Sequence, residues 1–553
     1  MTGADLPITL LLWLAAAAPL AAVFVLLVGL RWKASSAASV GYFLAAFIAL
    51  LLFEASLGTV ALQSVKGVWD ALFIAYVIAP ALLLYEISDE AGAFGAIRRG
   101  IEAITPNDLL HILAFGWVFP FFLQSITGFG APIAVAAPLL LAMGLKPLWA
   151  VAIPIIGHAW GKTFGTLGVA WEALTQVADA ADSLLAITVT GIMLVLADLL
   201  AGFTIAWLYG RWRGVREALP ALLVVGVIHA AGQLAIAPIA PNLANVIPGT
   251  LALAAIIFLA RRVYNQPSAV ADSPLMRQGD PGTPVTGGGE PGPIPERSMP
   301  LGIAFGPYLI LIGLILAVEL IPFLNEPLSS VRFGLSFPSL ATGYGIVTNA
   351  TEAYSEFSPL THPGTFLLVS SLIAFWYFRS RGYIGAGRVD EIAIDTVKTS
   401  IPTVMALFAF LPLALVLQGA GMVLELARGI AQVASGPVYA LLSPVIGSLG
   451  GFLTGSALSS NILFGALQQQ AAEALGLHPA FVLAAQTAGA SIGASIAIST
   501  VLLGLGAVGA GSEQTGNAIR KMLPYAAVTI LAIGLIAIIG VLVFPVGANG
   551  TGG

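Results

Sequence analysis

Long apolar segments, separated by short polar ones, run through almost the whole chain. The first, Ile8 to Leu30, has about 23 residues, which is enough to cross the hydrocarbon core of a bilayer. Its positive residues, Arg31 and Lys33, follow the apolar run, whereas a secretory signal carries them in front. We therefore predict a permanent anchor with an external N-terminus. Further segments that predict full spans lie at 35–53, 66–86, 147–170, 183–209, 218–240, 243–263, 301–323, 364–380, 396–418, 479–508 and 522–545.

Two other apolar segments, 108–144 and 437–475, are interrupted at their centres. The first break reads Thr127-Gly-Phe-Gly-Ala-Pro132, and the second reads Thr454-Gly-Ser-Ala-Leu-Ser-Ser-Asn461. Non-helical backbone is tolerated at membrane depth only where protein or a water-filled cavity surrounds it. We interpret both segments as re-entrant hairpins. The sequence thus predicts an all-α polytopic membrane protein with about 12 transmembrane helices and two such hairpins.

The positive charges support this arrangement of spans. Eighteen of the lysines and arginines fall on one side of the predicted membrane, and Lys162 falls within it. Those on the opposite side are Lys66, Arg332 and Arg428. Because cytoplasmic loops carry the excess of positive residues, the rich side is predicted to be cytoplasmic and both termini external.

The two breaks belong to a longer repeat. Pro147 and Gly157 match Pro479 and Gly489 at a separation of 332 residues. Seven spans separate the starts of the two units, and an odd number gives them opposite orientations. This is the inverted repeat of many secondary transporters. The predicted divisions are an N-terminal anchor (1–34), a first repeat with its hairpin at 108–144 (35–209), additional helices (210–263), a disordered cytoplasmic linker (264–300), a helix and external loop (301–363), and a second repeat with its hairpin at 437–475 (364–545).

Composition excludes several classes of protein. Hydrophobic residues make up 58% of the chain and charged residues only 9%, with a mean hydropathy of +0.96. Soluble proteins carry about 25% charged residues, so the partner of this surface is a lipid bilayer. The net charge of -5 provides no basic face for nucleic acid. The chain has no cysteine, and it lacks the His-Glu-x-x-His and Gly-x-Ser-x-Gly motifs of common enzymes.

Each hairpin tip offers chemistry suited to a small anion. A helix that begins within the membrane has unpaired N–H groups and the positive end of its dipole, and a carboxylate satisfies both. Glycines at the tips allow the backbone to approach a ligand closely. The residues expected to contact substrate are Thr127, Gly128, Phe129, Gly130, His158, Lys162, Thr163, Gly455, Ser456, Ser459, Ser460, Asn461, Gln486, Ser491 and Ser495.

Ionisable residues at membrane depth extend this hypothesis. Lys162 and His158 are four residues apart and share one face if the helix continues there. Lys162 is expected either to pair with a substrate carboxylate or to pair structurally with an acid such as Asp198. The residues expected to carry a coupled proton are His158, Asp198 and His111; serine, asparagine and carbonyl oxygens at the tips leave sodium as an alternative. Neither a metal site nor a cofactor is predicted beyond this coupling ion.

The two tip motifs resemble the signatures of the L-lactate permease family. The resemblance lies in Ser125-Ile-Thr-Gly-Phe-Gly-Ala-Pro-Ile-Ala134 and in Phe452-Leu-Thr-Gly-Ser-Ala-Leu-Ser-Ser-Asn-Ile-Leu-Phe-Gly-Ala-Leu467, and it extends from about residue 8 to 545. The family often has a polar pair at Ala457 and Leu458 and a lysine at Ala494. This chain therefore departs from the family pattern at the second tip and beyond it.

The resemblance implies a function. It implies cation-coupled import of L-lactate, glycolate or related 2-hydroxymonocarboxylates across a prokaryotic plasma membrane. A more distant resemblance to the ion-transporter superfamily implies an elevator motion with substrate held between the two tips. Elevator transporters are often dimers, so a homodimer is one implied assembly. A passive channel for monocarboxylates built on the same fold is the alternative.

Overall fold

The computed structural model describes residues 6–270, 272–277, 299–385 and 387–545, which are mostly helical. The helices of this part of the chain are α1 (Leu10–Phe24), α2 (Ala34–Leu52), α3 (Leu57–Glu90), α4 (Ala93–Glu102), α5 (Asp108–Leu113), α6 (Phe119–Ile126), α7 (Ala131–Ala142), α8 (Pro147–His158), α9 (Gly165–Val177), α10 (Leu184–Ile236), α11 (Val246–Arg262), α12 (Leu301–Ala304), α13 (Gly306–Leu320), α14 (Pro322–Ser329), α15 (Pro363–Ser380), α16 (Val389–Gly419), α17 (Met422–Val433), α18 (Gly436–Thr454), α19 (Ala457–Ala474), α20 (Pro479–Ser495), α21 (Ile498–Ala507) and α22 (Thr515–Val543). Short π-helical segments lie at Val25–Gly29 and Ala114–Val118, and 3-10 turns lie at Ala159–Lys162, Asp179–Ala181, Pro241–Leu243 and Ser512–Gln514.

Ten helices of the described residues are long and apolar enough to cross a membrane. Large apolar side chains on their outer faces remain uncovered, such as Phe43 on α2, Phe258 on α11 and Leu531 on α22. Lipid chains match such a surface, whereas water penalises it. The exposed faces therefore fit the lipid environment that the composition predicts.

Helix α10 has 53 residues but forms two arms. The backbone leaves the helical region at Arg211, where φ is 53. A methyl group on Gly202 would lie 2.9 Å from the Leu222 side chain, and one on Gly191 would lie 2.9 Å from Leu234. In each pair, the two residues lie on opposite arms at similar distances from the kink, so the arms are antiparallel. They correspond to two separate spans in the prediction.

The first interrupted segment is a helical hairpin. Its first arm comprises α5, the π-helical segment and α6; residues 127–130 form the tip, and α7 is the second arm. A methyl group on Gly116 in the first arm would lie 3.8 Å from Leu140 in the second. These residues lie at similar distances from the tip, so α7 returns along the first arm.

The second interrupted segment is also a hairpin, formed by α18 and α19. Ser460 Oγ donates to the backbone oxygen of Gly447 at 2.8 Å, and Gln468 Nε2 donates to that of Ser443 at 3.1 Å. Ser443 lies farther from the tip than Gly447 on α18, and its partner Gln468 lies farther from the tip than Ser460 on α19. The two arms are therefore antiparallel. Both helix interruptions in the prediction are present in the structure.

The segments that follow the hairpins differ from the prediction. The sequence predicts spans at 147–170 and 479–508 and leaves open an unwound segment near Gly489 and Gly493; the structure divides both spans. Helix α8 leads into a 3-10 turn that ends at Lys162, and φ reaches 50 at Thr166 inside α9. Residues 496–497 separate α20 from α21. Hydropathy reports transfer into lipid, so it does not detect a break whose backbone is covered by protein.

One order of elements occurs twice along the chain. A long helix, a short helix, a hairpin, a divided helix and another long helix form α3 to α10, and the same order forms α16 to α22. The first long helices begin at Leu57 and Val389, and the divided helices begin at Pro147 and Pro479. Both pairs of starting points are 332 residues apart, the separation found in the sequence motifs.

A small β structure covers one end of α3. Strand β1 (Phe333–Phe337) pairs antiparallel with β4 (Thr351–Phe357), and β2 (Leu340–Ala341) pairs with β3 (Val347–Thr348). Trp69 Nε1 on α3 donates to the backbone oxygen of Tyr354 at 3.2 Å. The Tyr354 hydroxyl in turn donates to the Asp70 carboxylate at 2.7 Å. These bonds fix the loop between α14 and α15 against α3.

The first part of the predicted linker is ordered. The backbone N–H of Lys146 donates to Leu275 at 2.9 Å, and that of Arg277 donates to Gly144 at 2.9 Å. Residues 272–277 therefore pack against the loop between α7 and α8 instead of being disordered. The remainder of the predicted linker, residues 271 and 278–298, lies outside the described residues.

Candidate functional site

The two divided helices cross where each is interrupted. Lys162 Nζ, at the end of the 3-10 turn after α8, donates to the backbone oxygen of Ala494 at 3.3 Å. These residues occupy equivalent places in the two repeats, since they are 332 positions apart. Thr500 Oγ1 donates to the same oxygen at 2.9 Å. We call this meeting point of α8, the 3-10 turn, α20 and α21 the crossing.

Lys162 brings a positive charge to the crossing. Among the described residues, no carboxylate forms an ion pair with it; Asp198, the partner that the sequence left open, pairs instead with His229. An ammonium group has three donors, and the bond to Ala494 uses one of them. A charge at this depth normally has a partner or faces a cavity. The remaining donors of Lys162 are therefore suited to an anionic ligand.

Polar side chains form a buried cluster beside Lys162. Thr163 Oγ1 lies 2.7 Å from Ser491 Oγ and 3.1 Å from Thr487 Oγ1. Asn461 Nδ2 donates to Thr487 Oγ1 at 2.8 Å, and also at 2.8 Å to the backbone oxygen of Ala170. Asn461 Oδ1 is buried and has no hydrogen-bond partner within the described chain. The structure thus joins three predicted residues, Thr163, Asn461 and Ser491, with Thr487, which the prediction missed.

Other predicted polar residues hold the second hairpin against α20. Gln486 Nε2 donates to Ser460 Oγ at 3.2 Å, and Gln486 Oε1 accepts from Gln468 at 3.1 Å. Ser495 Oγ donates to the backbone oxygen of Ser491 at 2.9 Å. Since Gln486, Ser460 and Ser495 bond to protein groups, their positions are fixed by the fold.

Close backbone contact between α18 and α20 explains the glycines of the second repeat. A methyl group on Gly493 would overlap the backbone oxygen of Ser448, and one on Gly489 would overlap that of Pro444. Small residues let membrane helices approach to backbone contact in this way. The glycine spacing that the sequence shows before residue 494 therefore sets how closely the second hairpin packs against α20.

The first hairpin tip has an unusual backbone. Gly128, Phe129 and Gly130 have φ of 60, 45 and 95, and positive φ is strained for the phenylalanine. Within the described chain, these three consecutive N–H groups have no hydrogen-bond acceptor. The Thr127 hydroxyl is used within its own helix, where it donates to a backbone oxygen at 2.8 Å. Unpaired amides at a turn of this kind are free to donate to an anion.

The second tip is more regular. Gly455 has φ of 72, and Ser456 caps α19 by accepting from the Ser459 N–H at 3.3 Å. The two preceding N–H groups of α19 have no acceptor in their own helix, as is usual in a first turn. A side chain on Gly455 would meet Ser499, just after the break in the second repeat, as one on Gly128 would meet Thr166, just after the break in the first. Each tip therefore lies against the divided helix of its own repeat.

Two predicted histidines have separate environments. His158 is buried at the end of α8, and its Nδ1 lies 2.5 Å from the backbone oxygen of Pro154 in the same helix. His111 lies on α5, with Nδ1 4.0 Å from the Asp108 carboxylate. His111 precedes the tip by more than ten helical residues, which corresponds to roughly 20 Å of helix. The structure places His158 next to the crossing but does not bring His111 to it.

Asp198 has two partners that the prediction missed. Its Oδ1 accepts from Trp117 Nε1 at 2.6 Å, and its Oδ2 lies 3.1 Å from His229 Nδ1. All three residues are buried. The spacing in the sequence could have revealed the pair: antiparallel arms with a turn near residue 213 bring positions 198 and 229 opposite each other.

Comparison with known proteins gives a consistent result. The model of the family described as L-lactate permease matches residues 13–544. The chain belongs to the L-lactate permease family. Among its relatives, Glycolate permease GlcA of Escherichia coli (strain K12) is 30% identical over 557 residues, which cover 96% of both chains. The L-lactate permease of the same strain is 29% identical, covering 90% of this chain and 91% of its own.

Likeness to solved structures is weaker. The Alcanivorax borkumensis YdaH transporter covers 87% of this chain and 88% of its own with 16% identity, at a TM-score of 0.42. Family membership is the stronger finding, and it agrees with the ten apolar helices. The chain is a multi-pass membrane protein of a permease family and not an enzyme.

Proposed function

We propose that this permease imports small 2-hydroxymonocarboxylates, with L-lactate and glycolate as the leading substrates, by cation-coupled alternating access. The observation that carries the proposal is the Lys162 ammonium, which lies at the crossing without a carboxylate partner among the described residues. A positive charge within the membrane-spanning part of a protein is costly unless it has a partner or faces a cavity. A substrate carboxylate supplies that partner. The names of the two permeases from Escherichia coli support the choice of substrates.

The proposed site divides the substrate between the two repeats. Lys162 and the unpaired amides of Gly128, Phe129 and Gly130 come from the first repeat and suit a carboxylate. Asn461, Thr487 and Ser491 of the second repeat, together with Thr163 of the first, contribute hydroxyl and amide groups, which suit the 2-hydroxyl group. A molecule with both groups on adjacent carbons engages both halves at once.

The transport cycle that we propose uses the repeat. Hairpins that enter from opposite sides of the membrane let the site open alternately to each side. The repeated order of elements and the antiparallel arms of both hairpins support this arrangement. In it, the two halves have inverted orientations and the hairpin tips move with the substrate in an elevator motion, while both termini face the outside of a prokaryotic plasma membrane.

Uptake by purified protein in liposomes tests the proposal. Radiolabelled L-lactate and glycolate are each offered with an inward proton gradient, an inward sodium gradient or no gradient. We expect accumulation above equilibrium with one of the cation gradients, and inhibition by unlabelled 2-hydroxy acids but much less by propionate, which lacks the hydroxyl group. Equilibration without accumulation under every gradient would indicate a channel and contradict the proposal.

A further inference from the structure

The arms of α10 hold a buried ionisable pair that the substrate site does not use. The His229 Nδ1 and Asp198 Oδ2 atoms are 3.1 Å apart, and neither side chain is exposed. Trp117 Nε1 donates to the other carboxylate oxygen at 2.6 Å. The carboxylate therefore has a donor on each oxygen, as expected when it is ionised and His229 Nδ1 carries the hydrogen.

The opposite nitrogen of His229 has a different environment. Its Nε2 is buried and has no hydrogen-bond partner within the described residues. Three aromatic rings surround the imidazole, with centroid distances of 4.6 Å to Phe121, 5.2 Å to Trp160 and 5.7 Å to Trp117. Aromatic faces attract a cation, and the carboxylate neutralises it. The surroundings can therefore hold an imidazolium after Nε2 gains a proton.

We propose that His229, paired with Asp198, is the proton-binding site that couples this permease to the proton gradient; this inference rests on the transport function proposed above. Nε2 takes a proton from water on one side of the membrane and returns it to water on the other. The loaded pair is an imidazolium and a carboxylate, and the unloaded pair is a neutral imidazole and the same carboxylate.

The aromatic contacts connect this pair to the crossing. Trp160 stacks on Phe121 at 4.0 Å, lies in the same 3-10 turn as Lys162, and donates from Nε1 to the backbone oxygen of Gly157 at 3.0 Å. His229 packs against Trp160 of this 3-10 turn, so a proton on His229 adds positive charge near Lys162 and favours the binding of an anion there. By linkage, a bound anion favours the proton equally.

Other titratable groups surround the pair on neighbouring elements. His158 and Lys162 belong to α8 and the 3-10 turn, and His111 belongs to α5. Tyr525 on α22 donates from its hydroxyl to the backbone oxygen of Ala197, next to Asp198, at 3.1 Å. None of these groups forms an ion pair with Asp198 or His229 in the described chain. We assign the proton to His229 because its Nε2 has no partner within the described residues, whereas both oxygens of Asp198 have one.

Gradient-driven accumulation requires proton coupling, whereas exchange of substrate requires only substrate binding and movement of the site. Comparing the two separates a coupling defect from a binding defect. Wild type, His229→Gln and Asp198→Asn are compared in liposomes for accumulation driven by a pH gradient and for exchange of labelled against unlabelled L-lactate without any gradient. We expect both variants to lose accumulation and to keep exchange within about threefold of wild type, which is under 1 kcal/mol. The control, Lys398→Gln, changes an exposed charge outside both sites and keeps both activities. Gradient-driven accumulation by His229→Gln would overturn the proposal.

A pH titration followed by tryptophan fluorescence tests proton binding even if a variant does not transport. Trp117 and Trp160 are two of the ten tryptophans and flank His229, so the difference in fluorescence between wild type and His229→Gln reports the charge of His229 in purified protein without any substrate. We expect a pH-dependent step in wild type that is absent in His229→Gln and shifted in Trp117→Phe, which keeps a ring but loses the bond to Asp198. An identical step in wild type and His229→Gln would overturn the inference. Wild type that shows the step but moves no 2-hydroxymonocarboxylate would instead contradict the proposed function.

Discussion

The two helix breaks at the crossing share a position in the repeat but differ in chemistry. The first contains Lys162, and its backbone then passes through positive φ at Thr166 and Leu167. The second has Ala494 at the matching place and a break of only two residues before α21. The repeat thus duplicates the backbone geometry, while the charge comes from the first half alone and the hydroxyl groups come from both halves. Such a site suits a ligand that carries both a charged group and a hydroxyl group.

Removal of the Lys162 charge is expected to have the largest effect on uptake and tests the difference between the two helix breaks. We expect Lys162→Ala to lower L-lactate uptake by about 30-fold or more, since loss of one partner from a buried charge pair costs about 2–5 kcal/mol. The measurement is initial uptake rate in liposomes at equal protein content. Lys398→Ala is the matched control, because Lys398 is exposed and lies 3.7 Å from the Asp395 carboxylate. Uptake near the wild-type rate in Lys162→Ala would rule out a substrate-binding role for this residue.

The backbone contact in the second repeat predicts a large effect on stability. Gly493→Ala places a methyl group against the backbone oxygen of Ser448, so α18 and α20 must separate. We expect a loss of about 1–3 kcal/mol, seen as a lower Tm in detergent. Gly506→Ala is the control, since nothing lies within 4 Å of a methyl group there. Equal Tm values for the two variants would show that the close packing of these helices is not required.

Removal of a hydroxyl group from the cluster around Thr487 is expected to have a moderate effect on substrate affinity. Thr163→Val removes the hydroxyl that lies 2.7 Å from Ser491 and 3.1 Å from Thr487. We expect about tenfold weaker L-lactate binding, because buried polar groups left without partners cost about 1–3 kcal/mol. Thr163→Ser retains the hydroxyl and should bind within about twofold of wild type. Isothermal titration of both variants checks this, and unchanged affinity in Thr163→Val would exclude the cluster from recognition.

Exchange of the charge between repeats has the smallest expected effect. The double variant Lys162→Ala, Ala494→Lys moves the ammonium to the equivalent position, but Ala494 is fully buried where α20 contacts Gly451 of α18. We therefore expect no recovery of uptake relative to Lys162→Ala alone. Recovery to about a tenth of wild-type uptake or more would mean that the two breaks are equivalent in chemistry as well as in geometry.

Sequence patterns predicted those features that depend on local composition. Apolar length and the Thr-Gly motifs predicted most of the long helices and both helix interruptions, and the spacing of 332 residues predicted the repeated order of elements. The described part of the chain has ten long apolar helices where about 12 spans were predicted, and the re-entry of the hairpins from opposite sides stays a prediction. The family resemblance was confirmed by the match over residues 13–544. Lys162 was also expected at membrane depth because no polar loop surrounds it.

Tertiary contacts decided the features that the sequence did not reveal. The breaks at Lys162 and after Ser495 lie in apolar sequence, and neighbouring helices cover their backbone. Thr487 and His229 are single polar residues in apolar helices, so only their partners give them a role. Asp198 has candidate partners in both Lys162 and His229, and the antiparallel packing of the two arms of α10 brings it to His229.

A structure with bound L-lactate tests the central claim most directly. We expect the substrate carboxylate at about 2.7–2.9 Å from Lys162 Nζ, with the amides of the first tip as its other donors. The 2-hydroxyl group should face Thr163 and Asn461. A carboxylate bound elsewhere, with Lys162 still bonded to Ala494 alone, would contradict the account.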